Sequence, residues 1–130
     1  MKFARYTFLI GGVLGILLLV PQYFLLEKTG AETPPAITHP EYYYGFTGVA
    51  LAFQIVFLII ATDPIRFRPM ILASLVEKFS FVVALLVLYL AEQVRGPIMA
   101  AAVFDLILGV LFIISYFTTA ETRGPNKALA

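Results

Sequence analysis

The chain predicts an all-α integral membrane protein, an up-down-up-down four-helix bundle, and three observations carry that prediction. Hydrophobic residues make up 61% of the 130 positions and charged ones only 13%, with a mean hydropathy of +0.93, more apolar surface than a soluble domain of this size can cover. The apolar residues gather into four runs of about twenty, the length at which a helix crosses a ~30 Å hydrocarbon core. The later runs are joined by connections so short that consecutive spans must be antiparallel neighbours.

The first run, residues 6–26, follows Lys2 and Arg5 and is continuously apolar through Leu14, Leu17, Leu18 and Leu19. A signal peptide cleaved near Thr29-Gly30-Ala31 is the competing reading, but the apolar region is longer than an ordinary signal core, so it is expected to be a retained first span. From residue 27 to residue 41 the composition changes to Glu, Lys, Thr, Gly and Ala with Pro34, Pro35 and Pro40. That segment reads as a solvated external loop.

Tyr42, Tyr43 and Tyr44 open the second span, residues 42–62, and look like an interfacial aromatic belt, each ring half in lipid with its hydroxyl wet. Asp63-Pro64-Ile65-Arg66-Phe67-Arg68-Pro69 is a tight turn into the third span, residues 69–90. A second turn, residues 91–97, leads to the fourth, residues 98–117. Gly124 and Pro125 end the last helix before a polar tail. The chain is therefore a single transmembrane domain, 1–130, with no internal repeat beyond its spans.

Orientation follows from the basic residues. Lys2, Arg5, Arg66, Arg68, Arg123 and Lys127 fall on one side and Lys28 and Arg95 on the other, which puts both termini in the cytoplasm under the positive-inside rule.

The third span holds the feature that needs a reason. Glu77 and Lys78 sit inside it, and near the centre of a membrane helix each costs roughly 2.5–3.5 kcal/mol, whereas each surrounding Leu, Ile, Val or Phe returns roughly 0.3–0.6. A span that inserts only marginally should bury its charges against partners. At 100° per residue, Ser74, Glu77, Lys78 and Phe81 share one face of the third span, and Ala101, Asp105, Gly109, Phe112 and Tyr116 share one face of the fourth. Tyr43, Thr47, Ala50, Gln54 and Ala61 align in the second span; Thr7, Gly11, Gly15 and Gln22 align in the first. Gly11 and Gly15 have the small-xxx-small spacing of closely packed membrane helices.

Depth brings these faces together. At 1.5 Å per residue, Gln54, Glu77, Lys78 and Asp105 all lie within about one helical turn of the span midpoints. The expected arrangement pairs Lys78 with Asp105, with Gln54 donating a hydrogen bond to one of the acids. Ser74, Thr47 and Tyr43 are secondary members. Glu77 is left over, either neutral among the helices, sharing the Lys78 ammonium, or facing a polar cavity.

Enzyme chemistry has little to build on. There is no Cys, which excludes disulfides, thiolate metal sites and thiol redox steps. The one histidine, His39, reads as a solvated loop residue, and a single His without Cys builds neither a zinc site nor a haem bridge. No catalytic residue, metal site or cofactor is assigned. A net charge of +1 without a basic soluble segment gives nucleic acid nothing to hold.

Four spans in 130 residues, a loop between the first two, tight turns afterwards and charges such as Glu77-Lys78 and Asp105 in the later spans resemble the DoxX-like small bacterial membrane proteins. That resemblance implies a bacterial inner membrane and, because some members accompany quinone-linked oxidoreductases, a role as an accessory subunit in a larger complex. Small multidrug exporters are similar in size, but they use a carboxylate in the first span and residues 6–26 contain none. Three readings stay open for the polar cluster: a packing device in an accessory or structural subunit, a binder of a small apolar or cationic molecule, and a proton-coupled transporter that works as a homo-oligomer.

Overall fold

The computed structural model describes residues 1–121. Those residues form five α-helices and no strand: α1 (Lys2–Leu19), α2 (Leu26–Glu32), α3 (Pro40–Thr62), α4 (Arg68–Leu90) and α5 (Ile98–Glu121), with a 3-10 segment over Val20–Phe24. Four stretches, Lys2–Phe24, Pro40–Thr62, Arg68–Leu90 and Ile98–Ala120, are long and apolar enough to cross a membrane. The four long helices stand in a ring in the order α1, α3, α4, α5, with α1 closest to α3 and α4 closest to α5.

Prolines punctuate the chain as their missing N–H dictates. Pro40 and Pro69 sit in the first turns of α3 and α4, where no intrahelical donor is needed. Pro21 lies where the first span leaves α-geometry: α1 stops at Leu19 and the chain tightens into the 3-10 segment. The first span is therefore not one helix over residues 6–26. It starts earlier, taking Lys2 and Arg5 into its first turns, and changes pitch before its end.

The loop between the first two spans also differs from expectation. Its first residues, Leu26–Glu32, form the short helix α2 rather than irregular chain, with Lys28 and Glu32 one turn apart and their charges 3.7 Å from each other. Only after Thr33 do Pro34 and Pro35 stop it. The two turns are as tight as expected. Asp63 Oδ1 accepts the Arg66 backbone N–H at 3.1 Å, and α4 closes with Gln93 N–H donating to Leu88 O at 2.9 Å. The end of the last helix, Gly124, Pro125, Arg123 and Lys127 lie outside the described residues.

The core occupies the half of the bundle that carries Lys2, Arg5, Arg66 and Arg68, called here the basic end. Phe8, Phe57 and Phe112 are fully buried with Ile60 and Ile71. Phe8 and Phe112 stack at 4.2 Å, and Phe57 meets Phe112 edge-on at 4.9 Å, geometries that aromatic quadrupoles favour.

Glycines set the two close helix pairs. A Cβ at Gly12 would come within 3.0 Å of the Gln54 carbonyl, and one at Gly15 would overlap the Gln54 side chain, so α3 lies against α1 only because neither is there. On the other side Gly109 of α5 receives the Phe79 ring of α4, with Cζ 3.0 Å from where a Cβ would stand. Gly11, by contrast, faces Leu108 and Phe112 of α5. The small-xxx-small pair thus serves two different neighbours.

Two arginines tie the basic end together. Arg5 donates from Nε to Ala61 O and from a terminal nitrogen to Thr62 O, each at 3.1 Å, satisfying carbonyls that the end of α3 leaves without helical partners. Arg68 donates to Tyr116 O at 3.0 Å and lies 3.7 Å over the Tyr116 ring.

Candidate functional site: a charged cluster at the floor of a cavity

Lys78 projects from the middle of α4 into the bundle and is almost fully buried. Its Nζ lies 2.9 Å from Asp105 Oδ1 on α5 and 3.2 Å from Glu77 Oε2 on its own helix. The ammonium also stands 5.3 Å from the centre of the Phe57 ring. One base thus meets two acids, whose side chains are only 16% (Glu77) and 14% (Asp105) exposed.

The acids are not held equally. Asp105 takes the short, directed bond. Glu77 receives a longer one, from Lys78 to Oε1 at 3.4 Å, while its Oε2 is buried without a hydrogen bond, alone in this among the buried side-chain nitrogens and oxygens of the described residues. Buried acceptors are normally filled. Glu77 Oε2 is therefore held only by its 3.2 Å ion pair with the Lys78 ammonium.

Above this cluster, towards α2 and the second turn, the bundle encloses a cavity of about 630 Å³. Its floor is Gln54, Glu77, Lys78 and Asp105, and its walls come from all four long helices, mostly from apolar side chains such as Phe46, Ala50, Phe81, Ala101 and Phe104. A few apolar walls with convergent polar groups at one point are the usual make-up of a small-molecule site. A separate hollow of about 320 Å³ between α2 and the chain at Ala36 and Ile37 brings no such cluster together.

The other polar groups around the cavity are satisfied from within. The Tyr43 hydroxyl reaches Gln22 in the 3-10 segment after α1, with its backbone oxygen at 2.8 Å and Oε1 at 2.9 Å. Thr47 donates to Tyr43 O at 2.8 Å. Gln54 does not serve an acid as expected. Its Nε2 donates to Ala50 O at 2.9 Å, one turn back on its own helix, because the space left by Gly15 lets the amide fold alongside α1.

Of the residues singled out in the sequence, Gln54, Glu77, Lys78, Asp105, Thr47 and Tyr43 all line this one cavity. Ser74 does not. It is fully buried a turn nearer the basic end and donates to Met70 O at 3.0 Å, which is the helix-backbone bond open to any apolar-face serine. His39 stands in the exposed loop 3.1 Å from Glu41. In the tyrosine triplet, Tyr42 is exposed, whereas Tyr44 stacks on Tyr23 and Tyr43 is half-buried.

Sequence reasoning overlooked Gln22 as the partner of Tyr43 and Phe57 as the ring beneath Lys78. An amide near the end of an apolar run was the available signal for Gln22. Nothing in the sequence pointed to Phe57.

Compared with protein-family models, with curated proteins and with solved structures, the chain matches none.

Proposed function

We propose that the protein binds a small apolar or cationic molecule in the cavity between its four long helices. The observation that carries this reading is the cluster of two carboxylates on one ammonium at the floor of an otherwise apolar cavity, with Glu77 the less firmly bonded of the two acids. An ion pair meant only for packing needs one acid, and Asp105 supplies it. The second acid leaves the cluster with a surplus formal negative charge, which suits a ligand with one cationic or hydrogen-bond-donating head on an apolar body.

Proton-coupled transport would use the same acids but needs a path through the basic end, where Phe8, Phe57 and Phe112 are packed ring on ring. That packing favours a binding site reached from one side. In the orientation set by the basic residues the cavity lies in the non-cytoplasmic half of the bilayer, in keeping with a bacterial inner-membrane protein whose apolar outer faces meet lipid or a larger complex. A binder serving such a complex would be an accessory subunit, as a DoxX-like layout suggests.

Photolabelling tests the reading. Dodecylamine carrying a mid-chain diazirine is irradiated with the protein in lipid nanodiscs, and the adducts are mapped by peptide mass spectrometry. Label is expected on the Phe46, Phe81 and Phe104 peptides and lost when Ala101→Trp fills the cavity. Label spread over outward residues such as Leu17 and Val76, and unchanged by Ala101→Trp, would overturn it.

A further inference from the structure

The four seams of the bundle are not closed in the same way. Between α1 and α3 the backbones meet at Gly12 and Gly15, and between α4 and α5 a ring fills the notch at Gly109. Seams of that kind open only if a helix moves. α3 and α4 are the least engaged neighbours in the ring, and the glycines on α3 bring no α4 backbone near: Gly45 has nothing within 4 Å of its Cβ position, and Gly48 meets only the Tyr23 hydroxyl.

What stands across this seam beside the cavity is a pair of side chains. Phe46 of α3 and Phe81 of α4 stack with centroids 5.9 Å apart and planes 27° from parallel. Both line the cavity, and Phe46 is 56% exposed while Phe81 is partly buried. The pair therefore stands at the edge of the cavity on the least engaged seam of the ring. A half-exposed phenyl ring changes rotamer on a timescale far shorter than helix motion.

The register below the rings connects them to the polar floor. Lys78 and Glu77 lie three and four residues before Phe81 on α4, and Ala50 and Gln54 lie four and eight residues after Phe46 on α3, so each ring sits about one turn above the next lining residues on its helix. The rings are thus about one helical turn from the polar floor.

We propose that the α3–α4 seam is a lateral port through which the cavity exchanges its occupant with the bilayer, Phe46 and Phe81 being its shutter. The proposal rests on the binding reading and narrows it: the occupant is an amphiphile dissolved in the membrane. Its single polar head reaches the Glu77 carboxylate while its apolar body lies along the two rings.

The absence of native cysteine makes the test clean. Phe46→Cys/Phe81→Cys is bridged with a short bis-methanethiosulfonate reagent, and loading of the diazirine dodecylamine from nanodisc lipid is followed by timed irradiation. A control clamp joins Phe79→Cys and Gly109→Cys, facing positions on the α4–α5 seam that do not line the cavity. The open double variant is expected to load at least as fast as the parent chain, the Phe46/Phe81 clamp to slow loading about tenfold or more, and thiol reduction to restore it. The control clamp leaves the rate unchanged. Parent-like loading through the Phe46/Phe81 clamp, or slowing by the control clamp instead, overturns the port while leaving the binding site in place. Failure of the unmodified protein to label in the cavity at all removes the binding reading, and the port with it.

Discussion

At the scale of single residues, Lys78 is the point on which the polar floor depends. Two carboxylates converge on it, and removing it leaves both without a cation inside the bundle. Breaking one partner out of a buried pair costs about 3–5 kcal/mol, most of it for the charge left behind. Lys78→Met is therefore expected to lower the melting temperature in detergent sharply, and Asp105→Asn added to it should recover much of the loss. Glu77→Gln added instead should recover less, because Asp105 holds the short bond and Glu77 the long one. A double Lys78→Met/Asp105→Asn variant no more stable than Lys78→Met alone would show that the two side chains do not act as a pair. The depth of these residues was legible in the sequence because rise per residue is constant in a helix, so four polar positions near four midpoints had to share a level. The torsion that turns Gln54 back to Ala50 was not legible. It depends on the space beside Gly15, which belongs to two helices at once.

At the scale of elements, the spans were readable from hydropathy and length, and their ends less so. Composition marked residues 27–41 as polar and proline-bearing, but the prolines begin only at Pro34, and the residues before them are free to make the helical turn seen in α2. Arg5 was legible as a topological charge and not as the group that caps α3, since no local pattern links position 5 to Ala61 and Thr62. The close of α4 carries a cost that can be tested. Glu92 follows the last helical residues with φ 57°, and Gln93 N–H then returns to Leu88 O, the geometry of a helix stop that glycine normally occupies. A side chain in the left-handed region costs about 1–2 kcal/mol. Its partner Arg95, at 3.4 Å, is as exposed as Glu92 itself, so little is lost by removing the carboxylate. Glu92→Gly is expected to raise thermal stability modestly, and a fall in melting temperature would mean that the Glu92 side chain holds the turn.

Over the whole molecule the two halves of the bundle are built for different ends. The basic end is closed by three interlocked phenylalanines and tied by Arg5 and Arg68; the other half holds the cavity and is walled partly by side chains that face outwards. In a bilayer, helices gain little from burying apolar surface from water and are held by packing, so stability should reside where packing is dense. Phe112→Ala removes a ring that touches both Phe8 and Phe57 and should cost about 3 kcal/mol, the lower end of the range for such truncations, because the transfer term is weak in lipid. Ala101→Trp adds volume to a space that is already empty, so it should leave the melting temperature nearly unchanged while abolishing cavity labelling by the diazirine amine. Phe112→Ala should do the reverse, lowering stability with labelling retained at temperatures where the variant is folded. Melting curves and labelling yields measured on the same two samples separate the roles: if Ala101→Trp destabilises as much as Phe112→Ala, the outer half is packed core and its cavity is not a place held open for a ligand.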